Sequence, residues 1–167
     1  MAMSPVEAAF RRLTLGVYVV GVAVDGRADA FTAAWVMQAS FDPLLLALSI
    51  NREHASYPLL LAGRGFVVNV LTHEQLELAR SFGTQSGRDR DKLAGVRWRP
   101  GRGGAPILEE ALAYFDCRLD GSMPAGDHEL VLGRVVEARV LDPEAVPLKY
   151  AETGDMDGSS ALYPGEL

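Results

Sequence analysis

The stretch Phe31-Thr-Ala-Ala-Trp-Val-Met-Gln-Ala-Ser40, followed by Phe41-Asp-Pro43, an apolar run over 44–50 and Asn51-Arg-Glu-His-Ala-Ser56, constrains the fold of this chain more than any other. Residues 31–40 mix aromatic and small side chains with Thr32, Gln38 and Ser40. That mixture lets a strand bring its backbone close to a flat ligand while hydroxyl and amide groups bond the ligand's polar edge. Proline fixes φ and its predecessor avoids the α region, so Asp42-Pro43 predicts a turn. The run 44–50 then reads as a strand apolar on both faces. Ser56-Tyr-Pro-Leu places an N-cap before a proline in a first helical turn, and the helix it predicts, over about 57–62, stops at Gly63. Unpaired amides at a helix start favour an anion, usually phosphate, and Arg52 and His54 stand just upstream to add positive charge. The same residues also have an ordinary reading, in which the serine only caps its helix and Trp35 belongs to the core.

Around this stretch, Ser4-Pro-Val-Glu7 is a capping box with proline at N1 and predicts a helix over about 5–13. The β-branched residues of 16–24, the Asp25-Gly26 turn signal and a return over 30–37 predict a hairpin. A strand over 66–71 follows, and Thr72-His-Glu-Gln75 is a second capping-box pattern, opening a helix that ends near Gly83. Residues 84–90 predict a polar loop, with room for a short helix up to Ala94. Pro100-Gly-Arg-Gly-Gly-Ala-Pro106 lacks the lysine and spacing of a phosphate loop and predicts a surface turn. Late strands are expected over 112–119 and 129–141, joined through Asp120-Gly121 and 123–126. Six or so strands with few helices make a mainly β domain. Strands apolar on both faces require a sheet that closes or packs on a second subunit, and a closed six-stranded barrel with a few peripheral helices satisfies both conditions.

At 167 residues and 49% hydrophobic composition, the chain supports one full core, so a single domain over 1–167 is expected, with an irregular, acidic and flexible tail over about 149–167. The net charge of −6 argues against nucleic acid and against an anionic membrane surface, both of which need excess Lys and Arg. A phosphate site must therefore be built locally. The single Cys117 excludes an internal disulfide, the start Met1-Ala-Met-Ser-Pro5 lacks the pattern of a secretory leader, and no apolar run reaches membrane-spanning length; a cytoplasmic location is expected. His54, His73 and His128 are too far apart in sequence, and lack the i,i+4 spacing, to predict a metal site. No nucleophile elbow or His-Glu-x-x-His motif occurs.

The ordered set Thr32-Ala33-x-Trp35-x-x-Gln38-x-Ser40-x-Asp42-Pro43, Asn51-x-x-x-Ala55-Ser56, Phe66-Val-Val-Asn-Val-Leu71, Ala79-Arg-Ser-Phe82, Asp91-Lys92 and Gly126-Asp-His128 resembles the flavin reductase-like family of FMN-binding split barrels. It also resembles flavoredoxin and the flavin reductase modules of flavodiiron proteins, and the match runs from about Gly16 to Leu141. The resemblance implies a split barrel that binds FMN, with FAD as an alternative, and takes NAD(P)H as reductant. It also implies a homodimer with the flavin at or near the interface, and an electron acceptor that is free flavin, a metal complex or a partner protein. Carried over residue by residue, Thr32, Ala33, Ala34, Trp35, Val36, Gln38, Ala39, Ser40, Asn51, His54, Ala55, Ser56 and Phe82 would hold the flavin, and Lys92 would meet its phosphate or ring edge. His128 would be the catalytic candidate, positioning the nicotinamide or supporting the reduced flavin. The tail departs from the family pattern in being acidic rather than basic, with Tyr163 as the residue able to fold over a flavin. That departure and the flavoredoxin resemblance leave open an FMN electron carrier without a nicotinamide site; because split barrels also hold other flat ligands, a non-catalytic flavin- or haem-binding split barrel stays open too.

Overall fold

The computed structural model describes residues 2–84 and 91–167. Ser4 caps α1 (Pro5–Phe10), its hydroxyl accepting the Glu7 amide at 3.0 Å, and the helix is shorter than its capping box suggests. The hairpin of β1 (Tyr18–Val24) and β2 (Arg27–Ala33) turns on Asp25 and Gly26, at φ 49° and 78°, as a two-residue primed turn requires. β3 (Val36–Phe41) and β4 (Leu44–Asn51) flank the expected turn, whose Asp42–Pro43 peptide is cis. Then come α2 (Tyr57–Gly63), β5 (Gly65–Val70), α3 (Leu76–Thr84), the short pair β6 (Trp98–Pro100) and β7 (Pro106–Leu108), β8 (Ala113–Ala125) and β9 (His128–Val140).

Four local expectations change. The helix expected to open at Thr72-His-Glu-Gln75 starts at Leu76, because Thr72 is held in a bridge to Pro147 and its amide donates to Gln75 Oε1 at 2.9 Å. The return strand breaks at Ala34-Trp35 into β2 and β3. Asp120-Gly121 is no turn, because β8 runs through it with a register shift between Leu119 and Gly121. Residues 91–94 form a turn rather than a helix, and the expected loop over 85–90 lies outside the described residues.

β1–β5, β8 and β9 form one antiparallel sheet in the order β2-β1-β5-β8-β9-β4-β3. Its two edge strands, β2 and β3, are consecutive in the chain with only Ala34 and Trp35 between them. Three Cα steps span at most about 11 Å, so the sheet must curl until its edges nearly meet. Among the described residues no ladder joins them. The expected closed six-stranded barrel is thereby corrected to seven strands with an open seam. At the seam the chain bends out of the ladder, the Trp35 carbonyl accepts the Ser49 amide at 3.0 Å, and β3 pairs with β4 alone.

β1 explains why its residues are apolar on both faces. Val20 and Val22 pack inside the curl with Phe31, Leu48, Phe66 and Val131, whereas Val17 and Val19 pack with Leu71, Ala79, Phe82 and Leu148 in a second cluster that includes α3. Each fully buried Val, Leu or Phe among them contributes about 1.5–3 kcal/mol relative to exposure. Buried Asn69 fastens the β6–β7 hairpin to the sheet: its Nδ2 donates to the Val19 and Pro106 carbonyls, and its Oδ1 accepts the Leu108 amide at 2.8 Å. The tail is more ordered than its composition suggests, with 3-10 turns at Tyr150–Glu152 and Ser159–Leu162. Arg11 clasps it to α1, bonding Glu7 at 2.8 Å, the Gly154 carbonyl at 3.0 Å and Ser160 at 2.9 Å.

Candidate cofactor pocket

At the seam a cavity of about 330 Å³ opens. Phe31 to Trp35 line it from the crossing of β2 into β3, Ser49, Ile50 and Asn51 from β4, and His54 from the turn beyond. His128 closes one side, and Tyr150, Asp157, Ser159 and Leu162 of the tail close another.

The ladder register brings its polar groups together, for Asn51 pairs directly with His128 across β4 and β9. His128 Nδ1 donates to Asp127 Oδ1 at 2.7 Å, since a carboxylate only accepts, and its ring lies 4.8 Å from that of Trp35. This hydrogen bond from His128 holds the Asp127 carboxyl below the usual carboxylate range. The His54 ring lies tilted against that of Phe31, centroids 4.6 Å apart, while its Nδ1 accepts the Ser56 amide at 3.1 Å. On the tail side, the Tyr150 hydroxyl donates to Asp157 at 2.9 Å, and burial pushes the phenol up.

Of the residues singled out in the sequence, Thr32, Ala33, Ala34, Trp35, Asn51, His54 and His128 therefore share one cavity. The Thr32 hydroxyl is committed to the Ala79 carbonyl at 2.6 Å, tying the crossing to α3. Val36 and Gln38 line a different space, an apolar groove of about 240 Å³ opening into the curl beside Tyr18, Leu46 and Phe115. Ala39 is the exposed extra residue of a bulge in β3, Ser40 is half-buried beyond it, and Ala55 is half-buried in the turn before α2.

The anion cradle expected at Ser56 is filled by the protein itself. Ser56 is wholly buried, makes no side-chain cap, and donates its hydroxyl to Asp29 Oδ2 at 3.1 Å. The Lys92 side chain is 1% exposed, with Nζ 3.9 Å from Asp29 Oδ1. Burial pushes its amine below the ordinary lysine range, and Asp29 pulls the other way. Phe82 is buried in the second core cluster. Tyr163 packs on Phe10 at 5.5 Å and lines a separate cavity between α1 and the tail. His73 is exposed, consistent with a surface residue.

Sequence reasoning missed Ser49 and Ile50, which read as plain strand residues, and the tail residues Tyr150, Asp157, Ser159 and Leu162; Phe31 stood in the ligand-facing stretch without being singled out. The tail residues lie about a hundred positions from the crossing, and no local pattern links them to it.

A model of the flavin reductase like domain matches residues 10–159. The chain belongs to the flavin reductase-like family. It is 31% identical to a flavin reductase from Pseudomonas putida, covering 95% of this chain and 94% of that one. It is 37% identical to a high molecular weight rubredoxin from Moorella thermoacetica over 86% of this chain, and there it spans only 63% of the relative's length. A solved NADH:FAD oxidoreductase from Streptomyces globisporus, in complex with NAD and FAD fragments, superposes with a TM-score of 0.79 at 27% identity, covering 87% of this chain and 86% of that one.

Proposed function

We propose that the chain is an FMN-binding oxidoreductase of the flavin reductase type that works as a homodimer and draws on NAD(P)H. Family membership supports the class, and the seam cavity carries the reading. Ala33 and Ala34 are small enough for backbone to approach a flat ring, Trp35, His128, Phe31 and Leu162 offer apolar or aromatic surface, and Asn51, Ser49 and Ser159 offer polar edges. These residues fit FMN, or the same ring of FAD. When bound, the flavin supplies hydride and electron transfer between a nicotinamide and a free flavin, a metal complex or a protein acceptor.

The chain's own part is binding, orientation and exclusion of water. Residues 32–35, Asn51 and His54 hold the ring. His128, oriented by Asp127, positions the nicotinamide. Ser56 and Lys92 act from behind through Asp29, Ser56 also through His54, and Phe82 acts through α3, to which Thr32 is tied. Trp35, Met37, Phe41 and Leu44 are exposed along the β3–β4 edge beside the apolar groove, and a second copy of the chain is the partner that edge supports.

The test is a visible-absorbance titration with FMN, followed anaerobically by NADH and NADPH. Bound flavin that bleaches promptly is expected. His128→Ala should slow bleaching at least about tenfold, short of the roughly hundredfold low end for a group that transfers the proton itself, with FMN affinity retained; unchanged reduction removes His128 from this role. A second reading, an electron carrier without a nicotinamide site, is favoured by the carboxylate of Asp157 in the pocket wall. It predicts bound flavin that stays oxidised with both nucleotides.

A further inference from the structure

A second cavity, of about 460 Å³, lies at the other end of the β1–β2 hairpin. Along that ladder Tyr18 pairs with Ala33 beside the seam cavity, while Ala23, which lines the second cavity, pairs with Ala28. Five residues of strand set these pairs about 17 Å apart.

The second cavity is lined by three arginines, Arg64, Arg102 and Arg118, and one acidic residue, Asp116, with Glu137 paired to Arg102 beside it. This local positive excess runs against a chain with 22 Asp and Glu and 16 Lys and Arg. The backbone places each arginine. Arg64 ends α2 in the left-handed region at φ 54°, a position where glycine is usual. The glycines stand on either side of it: a Cβ on Gly63 would collide with the Ala23 carbonyl, and one on Gly65 would come within 2.6 Å of the Cys117 carbonyl. Arg118 pairs with Gly65 across β5 and β8, so no side chain crowds it from that partner. Arg102 is held by its amide, which donates to Asp116 Oδ2 at 2.7 Å, and by Nε, 3.4 Å from Glu137 Oε2. Among the described residues, the Arg64 and Arg118 side chains have no hydrogen-bond or ion-pair partner.

We propose that this cavity binds a small phosphate-bearing molecule, with Arg64 and Arg118 gripping phosphate oxygens and Arg102 adding charge beside them. A guanidinium presents parallel N–H donors that match phosphate geometry, which a lone ammonium does not. The volume suits a metabolite-sized ester rather than a bare ion. Buried Asp116 accepts from a hydroxyl or amino group on the same molecule, so a sugar phosphate or nucleotide meets the whole wall. The site is independent of the flavin reading.

Calorimetric titration with inorganic pyrophosphate at low salt tests it. The intact chain is expected to show one saturable site with Kd below about 1 mM, weakening as salt rises. The exposed double variant Arg64→Gln/Arg118→Gln should lose affinity at least tenfold with melting temperature and flavin spectrum unchanged. Arg52→Gln, next to Asn51 of the seam cavity, should not lose affinity. Absence of saturable binding, equal affinity in the double variant, or loss in Arg52→Gln alone overturns the proposal.

Discussion

Ser56 and His54 are two residues apart, yet one is sealed in the interior and the other lines an open cavity. The same division runs through the whole set of candidate residues. Thr32 to Trp35, Asn51, His54 and His128 surround space, while Ser56 and Lys92 surround Asp29. The difference teaches that residue types suited to an anion are equally suited to a carboxylate from the chain's own β2. Which of the two they meet is decided by the register of β2, and no local spacing records it.

Asp29 is where the largest effect is expected. Removing one partner of a buried ion pair strands the other, so Asp29→Ala should cost about 3 kcal/mol, the low end of the usual range because Lys92 can shed its proton. For a chain of this size that is a fall of about 6–12 °C in melting temperature; an unchanged transition would mean that the pair is not buried as described. Ser56→Ala removes a buried donor and should cost about 1–2 kcal/mol while leaving FMN affinity within about threefold. Trp35→Ala should do the reverse, weakening FMN about tenfold, or about 1.4 kcal/mol, with little change in melting, since Trp35 is 47% exposed.

The smallest effect is in pH dependence. The folded-state pKa of Lys92 lies below its ordinary 10.5, so between those two values the unfolded chain binds more protons and stability rises with pH. Thermal melts should therefore show the wild type gaining on Lys92→Met as pH climbs toward 10.5. A difference that stays flat would place the lysine in solvent, and one that shrinks would mean that Asp29 outweighs burial and holds the amine charged.

Much of the fold was legible because it is written locally. The Asp25-Gly26 turn needs positive φ at two positions, the Asp42-Pro43 turn needs proline, and the apolar runs on both sides needed two buried faces, which β1 supplies. The open seam was not legible. Nothing in Ala34-Trp35 says that a strand ends there, and the bend becomes visible only when β2 and β3 occupy opposite edges of one curled sheet. Of the candidate site, the part contributed by one continuous stretch and by the cross-strand pair Asn51 and His128 was readable. The tail wall was not, since Tyr150 is set by its amide on the Leu15 carbonyl and residues 154–160 by the Arg11 clasp, tertiary contacts between segments far apart in the chain.

The most direct measurement is an FMN titration, followed by visible absorbance and tryptophan fluorescence, on the wild type, Trp35→Ala and Ser56→Ala in parallel. The seam cavity as cofactor pocket predicts tight binding in the wild type and in Ser56→Ala, with a weakening of about tenfold confined to Trp35→Ala. Loss of binding in Ser56→Ala with Trp35→Ala unaffected, or no flavin binding by the wild type, would contradict it.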